Sequence, residues 1–116
     1  MGKLKVSVGG PIEEEASARF INAWHRAERG ETFHERHLAF ESWETLARIL
    51  TRKRLELLRY VHRHPLGSVR ALAQALGRDY SNVHADVRAL AEAGLLSIDE
   101  SGLHADYDAI ETRIAI

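Results

Sequence analysis

The chain has 116 residues, of which 45% are hydrophobic and 28% charged, with a formal net charge of −1 and no cysteine. This length suits one small folded domain rather than two, and the lack of thiols excludes a disulfide framework or a thiolate zinc cluster. No apolar run approaches the roughly 20 residues needed to cross a bilayer, and no secretory or transit pattern precedes the first charged residues, so the cytoplasm is the expected compartment.

Leu4, Val6 and Val8 alternate with Lys5 and Ser7, the period of a half-buried strand, and Gly9-Gly10-Pro11 ends it. Over residues 12–28, Ala16, Phe20, Ile21 and Trp24 recur at helical spacing. Glu13, Glu14 and Glu15 lie where the helix dipole favours negative charge, and Gly30 supplies the stop. Residues 34–40 carry a weaker alternation suited to a second strand paired with the first. Residues 1–41 therefore read as a strand-helix-strand extension serving dimerisation or a partner contact.

Ser42 caps a short predicted helix through Leu46, Ile49 and Leu50. Thr51 caps the next, with Leu55, Leu58 and Val61 as its apolar face, and Pro65 forbids continuation past His64. Ser68 opens a helix buried through Val69, Leu72, Ala73 and Leu76, after which Gly77 permits a left-handed turn. A further helix begins near Asp79, turns Val83, Val87, Leu90 and Ala91 inward and closes at Gly94. Leu95, Leu96 and Ile98 then start a strand, and Glu100-Ser101-Gly102 turns into Leu103-His104-Ala105. Two helices across a glycine turn, followed by a hairpin, predict an α+β fold. We expect a winged helix-turn-helix over residues 42–116 behind the N-terminal extension. The tail from Tyr107, with its alternating Ile114-Ala115-Ile116, suits either an added strand or pairing across a dimer axis.

Charge is partitioned along the chain. Residues 52–88 hold 8 basic and 3 acidic side chains, a net of +5 that leaves −6 for the rest, as in a domain that offers one face to phosphates. With Val83, Val87 and Leu90 inward, helical geometry turns Ser81, His84, Ala85 and Arg88 outward, with Asn82 on the flank. Arg88 and Asn82 suit bidentate contacts with guanine and adenine edges, and Ser81 and Tyr80 suit phosphate oxygens. Ala85 allows close approach or touches a thymine methyl. Arg78 stands at the helix entrance as a phosphate clamp, and Ser101 and His104 lie at the hairpin tip near the backbone or minor groove. Arg52, Lys53 and Arg54 occupy a first helical turn, where cations oppose the dipole, so a phosphate partner accounts for them better than helix stability does. Ser68 and Arg70 complete the predicted contact set. Asp79 reads as a cap, and Asp86 as a partner that fixes a neighbouring arginine.

Leu72-Ala73 through Gly77-Arg78-Asp79-Tyr80, then Val83, Asp86-Val87, Leu90 and Gly94-Leu95-Leu96, resemble small prokaryotic winged-helix transcriptional regulators related to the MarR-like group. Phe40-Glu41-Ser42, Leu50-Thr51 and the run from Lys53 to Leu58 are similar to the segment before the motif in one subfamily, often encoded beside a small toxin and treated as antitoxins. The resemblance covers residues 40–116 well and the first third loosely. It implies sequence-specific binding to double-stranded DNA as a homodimer, autoregulation of an operon and neutralisation of a toxin partner. The hairpin carries little positive charge, a departure from wings that grip the minor groove through arginine. A rival reading is a protein-binding winged helix that never contacts DNA.

Other constellations are weaker. His34 with His37 and His62 with His64 suggest metal ligands, yet His34 and His37 fall on opposite faces of a strand and no cysteine completes a tetrahedral site. No nucleophile elbow or phosphate loop accompanies the serines and histidines. No enzyme activity, cofactor or metal is expected. Trp24, Trp43 and Phe20 fall at apolar helix positions that suit a core or a dimer interface.

Overall fold

The structure, a computed structural model, describes residues 2–9 and 35–116. These residues form an α+β arrangement of four helices and five strands. The chain divides into two compact units, Met1–Thr45 with Tyr107–Ile116, and Leu46–Asp106. The predicted helix over residues 12–28, with Phe20 and Trp24, lies outside the described residues, as does His34. None of the described helices is long and apolar enough to cross a membrane.

The first unit is built on a parallel three-stranded sheet in the order β2-β1-β5, formed by β1 (Lys3–Val8), β2 (Glu35–Phe40) and β5 (Ala109–Ile114). Its central strand follows the predicted alternation, with Leu4, Val6 and Val8 all buried. Phe40 at the end of β2 and Tyr107 just before β5 are buried as well, and burial pushes the Tyr107 phenol up to about 12. Residues 107–116 thus depart from the expected boundary, which kept 42–116 together. Their strand instead pairs with β1 along its whole length, from Lys3 opposite Ala109 to Val8 opposite Ile114.

Helix α1 (Trp43–Ile49) begins at Ser42, whose Oγ accepts the Thr45 N–H at 3.3 Å. Trp43, expected at an apolar position, is 51% exposed and is not core. The unit boundary falls within this helix.

In the second unit, α2 (Arg52–Arg63) starts at Thr51, α3 (Val69–Leu76) at Ser68 and α4 (Tyr80–Glu92) at Asp79. Each cap accepts a backbone N–H three residues on, which satisfies one of the otherwise orphaned donors of a first turn. Gly77 adopts the left-handed conformation at φ 64°, and Arg78 N–H then reaches Ala73 O at 3.0 Å, so the chain reverses tightly between α3 and α4. Leu57, Leu58, Val61, Leu72, Ala73, Val83, Val87, Leu90, Leu95, Leu96 and Leu103 form the core. The buried face of α2 is centred on Leu57 rather than Leu55, which is only half-buried.

Two short antiparallel strands, β3 (Ser97–Asp99) and β4 (Gly102–His104), follow α4. Leu95 and Leu96 precede β3 as buried core residues, so this hairpin starts later than the apolar run suggested. Leu103 donates to Leu66 O at 2.8 Å and ties the hairpin to the segment before α3.

Gly102 makes that close approach possible. It sits at φ +119°, and a Cβ there would lie 2.1 Å from Leu66 O, whereas a Cβ at Gly77 meets nothing within 4 Å. Gly77→Ala should therefore cost only the left-handed strain, about 1 kcal/mol, and Gly102→Ala should cost more, about 3 kcal/mol or above. Urea unfolding of both variants checks this order; equal losses would contradict the packing of the hairpin.

Candidate nucleic-acid interface

Helix α4 sorts its residues by face. Val83, Val87 and Leu90 are at most 2% exposed, and burying them contributes roughly 1.5–3 kcal/mol each. The opposite side carries Ser81, His84, Ala85 and Arg88 in solvent, with Asn82 and Tyr80 exposed beside them. Sequence spacing predicted this division. Arg88 also donates to Glu92 one turn on, at 3.1 Å, an exposed i,i+4 pair whose spacing the sequence shows.

Three side chains stack at the start of α4. The Arg70 guanidinium stands 5.0 Å from the centre of the Tyr80 ring, and the Tyr80 and His84 rings are 5.8 Å apart. Arg70 is thereby attached to the exposed surface of α4 through a cation–π contact. Among the exposed cations of this unit, Lys53, Arg59 and Arg63 lie on α2, as does Arg52, which pairs with Glu56 at 3.3 Å.

Two predicted phosphate contacts are occupied within the protein. Asp86, on the flank of α4, accepts from Arg54 Nε at 3.0 Å and from Arg78 Nη2 at 2.7 Å, with all three side chains largely buried. Arg54 Nη1 also donates to Ile49 O at 3.0 Å, at the end of α1. One carboxylate thus joins α2, the α3–α4 turn and α4, and charge-assisted bonds of this length are among the stronger ones. Asp86 does hold an arginine, as the sequence suggested. That it holds two, one of them 32 residues away, lay beyond sequence reasoning.

Ser68 Oγ is engaged as the α3 cap. At the β3–β4 hairpin, Ser101 Oγ donates to Asp99 Oδ1 at 2.6 Å and lies 2.7 Å from His104 Nε2, which is itself 3.1 Å from the same carboxylate oxygen. The Ser101 hydroxyl and amide, followed by His104, hold the Asp99 carboxyl below its ordinary range. Asp99 was not among the predicted site residues, although its spacing to Ser101 is that of an Asx turn.

Of the histidines considered as metal ligands, His62 and His64 make other contacts. His62 Nδ1 is bonded to Ala105 O at 2.7 Å, and the His64 ring packs 4.8 Å from Tyr60. Among the described residues, no group of three or more His, Cys, Asp or Glu side chains could hold a metal ion.

Removing the shared carboxylate leaves two guanidinium groups in a largely buried setting without their acceptor. Asp86→Ala should lower unfolding stability by about 2–4 kcal/mol, and Arg54→Ala in the same background should add less than it does alone. Additive losses in a double-mutant cycle would show that the bridge does not act as a unit.

The HVO_A0114 family model matches residues 49–112, from the end of α1 through the helices and hairpin into β5. No curated protein and no solved structure matches the chain. The match extends over more than half of the sequence, and the chain belongs to the HVO_A0114 family.

Proposed function

We propose that residues 46–106 act as a winged helix-turn-helix, with α3 and α4 as the motif and the β3–β4 hairpin as the wing. On this reading the protein is a sequence-specific, DNA-binding transcriptional regulator of the MarR-like kind, working in the cytoplasm as a homodimer and without catalysis. The observation that carries the reading is the free stripe of α4, in which Ser81, His84, Ala85 and Arg88 stand opposite buried Val83, Val87 and Leu90. Small and polar side chains along an unencumbered helix face suit a major groove.

The roles within the site divide by how each side chain is held. Arg88 and Asn82 read base edges, and Ala85 allows the helix to approach. Ser81 with the stacked Arg70 and Tyr80 meets phosphates, joined by Lys53 and Arg52. Arg54 and Arg78, held by Asp86, orient α4 instead of clamping phosphate. The wing carries Asp99 and Glu100 and no lysine or arginine, so affinity comes from the helices. Two copies would set their α4 helices in successive major grooves, about 34 Å apart.

Selection from random duplexes with the purified protein should yield an imperfect palindrome. On the selected site, Arg88→Ala should relax discrimination at one base position per half-site by about 1–3 kcal/mol, while Lys53→Ala weakens all sequences alike. Failure to enrich any sequence would favour a winged helix that recognises another polypeptide, such as a toxin partner meeting the acidic flanks.

A further inference from the structure

We propose that β5 is the subunit interface, joining two copies of this chain by antiparallel pairing of their β5 strands about a two-fold axis at Thr112. This deepens the homodimer of the proposed function and names the surface that makes it. Among the described residues β5 is an edge of the sheet, bonded to β1 on one side. Edge strands expose a row of backbone donors and acceptors that a second chain can complete.

The composition of β5 suits a copy of itself. Parallel register puts Ile110, Thr112 and Ile114 on the face of buried Leu4, Val6 and Val8, and Ala109, Glu111 and Arg113 on the face of Lys3, Lys5 and Ser7. Yet Ile114 is 46% exposed where its partner Val8 is 2%. Among the described residues, the apolar face of the sheet thus runs out to an edge that is half exposed at Ile114.

Symmetry and charge then favour a register centred on Thr112 over those centred on Glu111 or Arg113. A two-fold axis normal to the sheet keeps each side chain on its own face, so only registers centred on a residue are allowed. Centred on Thr112, Glu111 faces Arg113 of the other copy twice, Ile110 faces Ile114 twice and Ala109 faces Ala115 twice. Centred on Glu111 or Arg113, the strand opposes a like charge to itself across the axis, which is destabilising. Glu111 already has Lys3 at 3.2 Å on its inner side, so a cation beyond it continues the alternation. The other edge, β2, offers no such match, because centring it on His37 or Leu38 sets Arg36 against Leu38 or Phe40.

Sedimentation of the full chain without DNA, over about a hundredfold range of concentration, should show a reversible dimer. Glu111→Arg and Arg113→Glu should each raise its dissociation constant roughly tenfold to a hundredfold, and the double variant E111R/R113E should recover most of the loss, which a misfolded protein would not do. Because the chain has no cysteine, Thr112→Cys places a single thiol on the axis, opposite its copy at a separation that suits a disulfide. Mild oxidation should convert this variant to a covalent dimer far faster than Gln74→Cys on the exposed side of α3. A monomer throughout, equal dissociation constants for all variants, or equal cross-linking of the two cysteine variants would overturn the proposal. A β5 dimer that binds no DNA would refute the regulator reading alone, and a DNA-binding protein whose dimer ignores these changes would refute the interface alone.

Discussion

Helix α4 can bury only one stripe, and its apolar residues at positions 83, 87 and 90 decide which. Once Val83, Val87 and Leu90 are turned into the core, the outward side of the helix follows from the rise and twist of the backbone. Apolar burial alone tolerates some roll about the helix axis, because three aliphatic side chains repack at modest cost. Asp86 removes that freedom. Its two oxygens are claimed from different directions by Arg54 on α2 and Arg78 at the turn, so rotation of α4 would break one bond or the other. The outer stripe is therefore presented at a defined angle, and on the proposed reading such preorganisation lowers the cost of recognition.

This arrangement separates cations held inward by a carboxylate from cations left at the surface. Arginines 54 and 78 are drawn inward by a carboxylate. Arg70 is drawn outward onto the Tyr80 ring, and Arg88 remains in solvent on the free stripe with only a weak i,i+4 partner in Glu92. A pair of that kind contributes little to stability, so Arg88 can exchange Glu92 for a stronger acceptor at small cost. The formal charge near zero for the whole chain conceals this arrangement, since most of the acidic residues lie outside residues 52–88.

Much of the second unit was legible because its signals are local. Thr51, Ser68 and Asp79 each cap a helix through a bond spanning three residues, and Gly77 supplies the positive φ of a turn that its neighbours demand. Periodicity located Val83, Val87 and Leu90 on the buried stripe of α4, while Ala91, also expected inward, is only half-buried. What escaped were the pairings made across long stretches of chain. Ala109–Ile114 alternates like many strands, and nothing in that alternation says that its partner is Lys3–Val8, about a hundred residues earlier, or that the two run parallel. Arg54 looked like a free cation because its acceptor lies on another helix, and Trp43, expected in a core or a dimer interface, stands outside the core.

On the proposed reading, an exposed helix face and the cations around it form a surface for nucleic acid. The salt dependence of binding tests it most directly, because each phosphate neutralised releases counterion and steepens the fall of affinity. Measured on the selected duplex, log affinity against log salt should be linear with a slope of about −4 or steeper for a dimer making several phosphate contacts. A slope near zero, or no binding at low salt, would show that this surface does not meet phosphates.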